Sequence, residues 1–172
     1  MTAPNTPRQD ESSVTTRETS DGVPPWVSAS IAAGGFRTSI RTRTHSFVAD
    51  EPADAGGSDA GPTPYELLLG ALASCTAMTV RMYADRKQWL LSDVVVRIRP
   101  VRSHAVDCAN CETKEVGVGR LEREVELLGE LTDEQRTRLL YIADRCPVKQ
   151  TLERGLRVEP ASSHIPSASA PV

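Results

Sequence analysis

The clearest feature of the hydrophobic pattern is one stretch without charged residues, which runs for roughly 14 residues from Leu67 to Val80. Its apolar side chains recur at intervals of three and four residues, which predicts a helix. Thr63 and Glu66 stand three residues apart just before it and predict a capping box. Because the stretch is shorter than the ~20 residues that cross a bilayer, we expect a core helix that is buried on most sides, with Cys75 in its middle. One face of this helix is predicted to carry Leu68, Ala71, Leu72, Cys75, Thr79 and Met82.

Shorter hydrophobic patterns on both sides of this helix predict strands and two further helices. Thr132 with Gln135 predicts a second capped helix that ends near Arg145, and Pro147 opens a third helix that Gly155 stops. Strands and helices in this order predict an α+β fold, with the long helix packed on an antiparallel or mixed sheet. The β-forming and alternating segments predict strands over residues 27–31, 37–48, 93–101, 122–128 and 156–159.

The second predicted strand carries four basic residues, all at odd positions. Arg37, Arg41, Arg43 and His45 would share one face of a flat strand. This face is either an ordinary solvated surface or the source of one arginine that reaches a buried site.

Composition and charge restrict the classes of function. The 172 residues carry a formal net charge of −3, so no basic surface indicates binding to nucleic acid or to an anionic membrane. Residues 1–24 and 161–172 are polar and predicted to be disordered tails around one domain over residues 25–160. The N-terminal residues do not resemble a signal peptide, so we expect a cytoplasmic protein whose four cysteines are reduced at rest.

Three sites in the sequence place cysteines where they could do chemistry. Cys146 stands at a predicted helix start, where unpaired N–H groups favour a thiolate, whereas Cys75 in mid-helix needs a cation from elsewhere or is simply a small buried residue. His104, Cys108 and Cys111 have the spacing of a partial metal site, but no second Cys-x2-Cys pair completes it. That segment is therefore a zinc site, a disulfide switch or an inert pair, and we expect no metal in the site itself.

Three segments of the chain carry a family resemblance: Gly61–Leu68, Ser74–Thr76 and, far downstream, Asp144–Val148. With these segments the chain resembles the OsmC/Ohr family of hydroperoxide-reducing proteins. The similarity covers residues 26–159, and it is greatest to the OsmC-like branch whose central helix opens with a GPTPYELLL-type run.

This resemblance implies an intertwined homodimer with active sites at the interface, and thiol peroxidase chemistry without metal, haem or another bound cofactor. It implies that Cys75 is the peroxidatic thiol and that Cys146 is the resolving thiol. It also implies an activating arginine, for which Arg37 is the first candidate ahead of Arg41 and Arg43, and a carboxylate near the helix start, for which Glu66 is the candidate. Glu66 follows Tyr65 and not the proline directly, a displacement of about 100° around a helix, so its alternative role is the cap alone.

The expected reaction is the reduction of an organic hydroperoxide to an alcohol in oxidative stress defence. Cys75 becomes a sulfenic acid, Cys146 closes a disulfide, and an external dithiol of lipoyl or small-thiol type restores both thiols. The alternative is a thiol or metal binding module, or a redox sensor, of the same fold without turnover.

Overall fold

The early part of the chain folds into three short strands and not into two. A computed structural model of the protein describes residues 26–101 and 120–159. These divide into two compact units, one that ends at Glu66 and one that begins at Leu67. The first unit holds an antiparallel sheet in the order β1-β2-β3. Its strands are β1 (Ser28–Ile31), β2 (Thr38–Arg41) and β3 (Ser46–Ala49).

The single strand predicted over residues 37–48 is wrong, because the chain reverses within it. Thr42 and His45 close a turn in which the Thr42 N–H donates to the His45 carbonyl at 2.8 Å. The Thr42 hydroxyl lies 3.2 Å from both the carbonyl oxygen and the backbone nitrogen of His45. The segments before and after this turn pair antiparallel, with Arg41 opposite Ser46. Arg37, Arg41, Arg43 and His45 therefore do not line one face of one strand.

The long helix α1 (Pro64–Lys87) begins as the sequence predicts. The Thr63 N–H donates to a Glu66 carboxylate oxygen at 2.7 Å, and the Glu66 N–H donates to the Thr63 hydroxyl at 3.2 Å. Both halves of the predicted capping box are thus present, and they fix the first turn of the helix.

The second unit builds its core between the later part of α1 and a two-stranded antiparallel sheet. Its other elements are β4 (Leu90–Val101), β5 (Arg120–Glu130), α2 (Asp133–Ala143) and α3 (Pro147–Arg154). The strands pair in register from Leu90 opposite Glu130 to Val101 opposite Arg120, with one irregularity between Leu91 and Asp93. The buried core residues are Val80, Ala84, Leu91, Leu127, Leu139 and Ala143.

The fold class is α+β, as predicted, and both described sheets are antiparallel. The strand predicted over residues 156–159 is wrong, because those residues follow α3 without regular structure. The predicted tails over residues 1–24 and 161–172 lie outside the described residues, as do His104, Cys108 and Cys111.

Helix α1 is longer and less covered than the sequence predicts. With 24 residues and a mean hydropathy of 1.4 over its most apolar 18-residue window, it has the length and composition to cross a bilayer. Val80 and Ala84 are nevertheless fully buried in the core of the second unit, so the helix also serves as a core helix. Its other side is exposed in the single chain at Leu68, Met78 and Met82, so one chain alone does not bury the helix on most sides.

Candidate functional site

Two cysteines meet between α1 and the start of α3. Cys75 lies in the middle of α1 and is half-buried, whereas Cys146 is the N-cap residue of α3 and is 0% exposed. Both are free thiols, and they lie close enough that each shifts the pKa of the other. Two side chains that the sequence separates by 70 residues are thus brought together within one chain.

The turn between α2 and α3 positions Cys146 near Cys75. Pro147 occupies the first turn of α3, where its missing N–H costs nothing, and this sets Cys146 as the cap. Arg123 on β5 donates to the Ala143 carbonyl at 2.9 Å and to the Asp144 carboxylate at 2.7 Å. The guanidinium of a half-buried strand residue therefore fastens the last turn of α2 directly ahead of Cys146.

The surroundings of Cys146 favour its thiolate. Burial raises the pKa of the Cys146 thiol, but the Lys149 N–H, the Cys75 S–H, the Thr76 hydroxyl and the Val148 N–H together lower it below its ordinary value. The sulfur makes no full N-cap hydrogen bond, so the first amides of α3 act on it as close dipoles. This agrees with the sequence argument that a helix start favours the thiolate.

The surroundings of Cys75 disfavour ionisation. Burial is the main reason that the pKa of the Cys75 thiol is raised, and Cys146 raises it further through their hydrogen bond and its charge. The Val148 N–H and the Thr79 hydroxyl act in the opposite direction and do not compensate. None of these groups is a cation, so the strongest influences on Cys75 leave it protonated.

Thr76 is a member of this cluster that the sequence analysis does not single out. It is 0% exposed, and its hydroxyl donates to the Leu72 carbonyl at 2.8 Å. The buried ridge of α1 consists of Leu72, Thr76, Val80 and Ala84. The four-residue spacing that begins at Leu72 could have indicated that Thr76 is buried. The sequence analysis instead placed Cys75, one residue earlier, at the centre of the buried face.

The predicted cation and carboxylate belong to the unit that ends at Glu66, whereas both thiols belong to the unit that begins at Leu67. Arg37 directly precedes β2, Arg41 ends it and Arg43 lies in the following turn, and all three are exposed. Glu66 is exposed and engaged with the Thr63 N–H. Its carboxylate therefore fills the capping role that the sequence offers as an alternative.

The predicted metal candidates His104, Cys108 and Cys111 lie outside the described residues. Within residues 26–101 and 120–159, no group of three or more metal-ligating side chains is found. What the described site can do chemically rests on its two sulfurs. Once one of them is oxidised, the other is already in contact with it and can close a disulfide.

Comparisons with known proteins agree on the fold. A family model described as OsmC-like protein matches residues 56–161. A search of curated proteins gave no match. Among solved structures, an OsmC-like protein from Mycoplasma pneumoniae is similar, with 18% identity and a TM-score of 0.62 over 77% of this chain and 89% of that chain.

Two further solved structures are similar in the same way. An osmotic stress induced and detoxification response protein from Psychrobacter arcticus has 20% identity and a TM-score of 0.59, over 72% of this chain and 85% of that chain. An organic hydroperoxide resistance protein OsmC from Legionella pneumophila has 22% identity and a TM-score of 0.50, over 73% of this chain and 87% of that chain. At these identities the likeness concerns the fold.

Proposed function

The chain belongs to the OsmC-like protein family, and on that premise we propose that it is a cysteine-based peroxidase that reduces organic hydroperoxides to alcohols. The family includes a similar structure that is named for organic hydroperoxide resistance. Its role would be defence against oxidative stress in the cytoplasm.

The contact between the Cys75 and Cys146 thiols is the observation that carries this proposal. A sulfenic acid that is formed on one buried thiol needs a second thiol within bonding reach, because further oxidation would otherwise be irreversible. Cys146 lies close enough to Cys75 to shift its pKa, and both are free in the structure. A pair of inert core cysteines would have no need for the helix amides and the hydroxyl that surround Cys146.

In the proposed reaction, the Cys75 sulfur attacks the terminal oxygen of the hydroperoxide. The O–O bond breaks, an alcohol leaves and Cys75 becomes a sulfenic acid. The Cys146 sulfur then attacks the Cys75 sulfur and releases water as the disulfide forms. An external dithiol of lipoyl or small-thiol type reduces that disulfide by exchange.

An arginine would complete the site by favouring the Cys75 thiolate and the charge on the departing oxygen. Arg37 is the first candidate, with Arg41 and Arg43 as alternatives, and Glu66 is the candidate carboxylate. We propose that these groups meet the thiols in a homodimer whose active sites take residues from both chains. The exposed apolar side of α1 supports such an assembly, because a second copy would cover it.

The experiment is a peroxide-consumption assay with cumene hydroperoxide and either dithiothreitol or a dihydrolipoyl donor. We expect turnover by the wild-type protein and none by Cys75→Ser. Without a reductant, Cys146→Ser should consume one equivalent of hydroperoxide and stop as the sulfenic acid. Serine at Cys108 and Cys111 is the matched control, and it should leave turnover intact.

Mapping of the oxidised peptides locates the bond that forms. One equivalent of hydroperoxide is expected to link Cys75 to Cys146 within one chain. Oxidation that joins Cys108 to Cys111 and leaves Cys75 open to alkylation would contradict the proposal.

The alternative is a redox sensor that uses the same pair of free thiols without turnover. A sensor would form the disulfide with one equivalent of peroxide but would not cycle with either donor. Titration of Cys75 reactivity in Arg37→Ala, Arg41→Ala and Arg43→Ala tests the activating cation. If all three variants titrate Cys75 as the wild-type protein does, no early-strand arginine activates it and the alternative moves ahead.

A further inference from the structure

Arg123 on β5 holds the turn that leads into Cys146 by two hydrogen bonds. Its guanidinium donates to the Ala143 carbonyl at 2.9 Å and to the Asp144 carboxylate at 2.7 Å. The Arg123 side chain is only 17% exposed, so water competes little for these bonds. Both acceptors lie at the end of α2, where the last carbonyl groups lack partners within the helix and attract cations.

The Ala143 carbonyl links Arg123 to the backbone of Cys146. The Cys146 N–H donates to the same oxygen at 3.3 Å, so the guanidinium and the cysteine amide share one acceptor. The Cys146 carbonyl in turn accepts the N–H of Gln150 at 3.1 Å, in the first turn of α3. Both backbone polar groups of Cys146 are therefore fixed between the end of α2 and the start of α3.

Lys149 extends this network onto α3. Its ammonium group lies 3.8 Å from the same Asp144 oxygen that Arg123 binds, and 2.7 Å from a Glu153 carboxylate oxygen. One carboxylate oxygen thus lies between a cation on β5 and a cation on α3. This arrangement ties the strand to the helix that begins at Cys146.

We propose that Arg123 is a positioning residue of the thiol pair, which holds Cys146 in the place from which it forms a disulfide with Cys75. A disulfide tolerates only a narrow range of geometries. The hydrogen bonds of Arg123 are present while both thiols are free, so the turn is ordered before the S–S bond forms. Without them, formation of that bond would also have to order the turn, which costs conformational entropy.

The part of this inference that concerns catalysis rests on the proposed function. In the proposed cycle, the Cys146 sulfur attacks the sulfenic acid on Cys75. The S–S bond forms, the S–O bond breaks, and the hydroxyl group leaves with the thiol proton as water. The competing reaction is a second oxidation of Cys75 by hydroperoxide to the sulfinic acid. By holding Cys146 in place, Arg123 would favour the disulfide over that irreversible product.

Equilibration with glutathione tests the positioning without any peroxide. The full chain carries serine at Cys108 and Cys111, so that only Cys75 and Cys146 exchange. As these two thiols join, glutathione disulfide is reduced to two molecules of glutathione, and the equilibrium ratio gives the effective concentration of one thiol at the other. Arg123→Met removes the donors and keeps a long side chain. It should lower this effective concentration by about tenfold, the value of one charge-assisted hydrogen bond.

Arg136 provides the matched control, because it forms the same kind of double hydrogen bond near the start of α2. Its guanidinium donates to the Leu127 carbonyl at 2.6 Å and to the Gly129 carbonyl at 3.0 Å. Arg136→Met should therefore lower the melting temperature, as Arg123→Met does, but keep the effective concentration of the parent. Arg123→Lys keeps a cation without the planar fork of donors, and it should recover part of the loss.

An unchanged effective concentration in a folded Arg123→Met protein would overturn the inference. An equal fall in Arg136→Met would do the same, as would a parent protein in which Cys75 and Cys146 form no disulfide with glutathione. If Arg123→Met does not fold, as judged by circular dichroism, Arg123→Lys is compared with Arg136→Lys, and only the former should lower the effective concentration. If the effective concentration falls as expected but the protein does not turn over peroxide, the proposed function fails and the role of Arg123 stands.

Discussion

Asp50 shows how one carboxylate can order a loop that is otherwise made of small residues. It is 1% exposed and directly follows β3. Its oxygens accept the Ser58 hydroxyl at 2.6 Å and the backbone N–H groups of Glu51, Ser58 and Ala60 at 2.9, 3.0 and 3.1 Å. The Ser58 hydroxyl is the main reason that the pKa of Asp50 falls to about 2, since burial acts in the opposite direction.

A pH dependence of stability follows from this carboxylate. Because the pKa of Asp50 is lower in the folded state than the ordinary value of 3.8, the unfolded chain takes up the proton first as the pH falls. The contribution of Asp50 is therefore complete above about pH 4 and is lost as the pH falls towards 2. We expect Asp50→Asn to be less stable at neutral pH and to lose less of its stability over this acid range, as measured by urea denaturation.

Asp59→Asn is the matched control, because it lies in the same loop, is exposed and has a positive φ of 54° that asparagine also tolerates. It should follow the wild-type curve. Equal acid dependence in Asp50→Asn and wild type would show that the loop does not depend on this charge.

At the scale of elements, the helix starts were predictable and the early turn was not. Thr63 with Glu66 and Thr132 with Gln135 form capping boxes in the structure, because this signal needs only residues three positions apart. The turn at Thr42–His45 contains no glycine, proline or asparagine. It is closed by a threonine hydroxyl, a weaker signal in a segment rich in β-formers.

The thiol site also has a part that the sequence could predict and a part that it could not. The sequence could locate Cys75 and Cys146 on their helices, since both stand in local patterns. The influence of Thr76 on the pKa of Cys146 depends on how α3 approaches α1, which no local pattern contains. A threonine inside an apolar helix is also satisfied by its own backbone, as Thr76 is by Leu72, and so gives no signal of another partner.

The irregularity in the β4–β5 register lies beside Gly129, which pairs with Leu91. Its φ is +132°, and an added Cβ would lie 2.2 Å from the Leu90 carbonyl oxygen. Gly129→Ala should therefore destabilise the second unit by about 2 kcal/mol or more, through backbone strain and the forced separation of the strands. Thermal denaturation measures this.

Glu130→Ala, one residue further along β5 and exposed, is the control and should change the melting temperature little. A Gly129→Ala protein as stable as this control would contradict the close approach assigned to Gly129.

At the scale of the whole molecule, the exposed side of α1 is the feature that a single chain leaves unexplained. Met78 is 63% exposed and Met82 is 72% exposed, one helical turn apart. Leu68 continues the same apolar surface towards the helix start. Exposed apolar residues in a continuous row are typical of an interface, which is consistent with the homodimer that we propose.

Charges placed on this row should separate the chains. Met78→Glu and Met82→Glu each bury a carboxylate if a second copy covers α1, so we expect sedimentation to show monomers at micromolar concentration, against a dimer for the wild-type protein. Leu140→Glu, an exposed apolar position on α2, is the control and should remain dimeric. A wild-type protein that sediments as a folded monomer would rule out the proposed assembly.

The two methionines also link assembly to chemical ageing. A thioether is itself a target for hydroperoxides, and methionine sulfoxide is polar where methionine is apolar. A chain that reacts with a hydroperoxide before it dimerises would thus carry polar sulfoxides at Met78 and Met82. A second copy could then no longer pack on this side of α1. In newly made protein, oxidation of these methionines would then compete with dimer formation. Rapid dimer formation would protect both thioethers from the hydroperoxide.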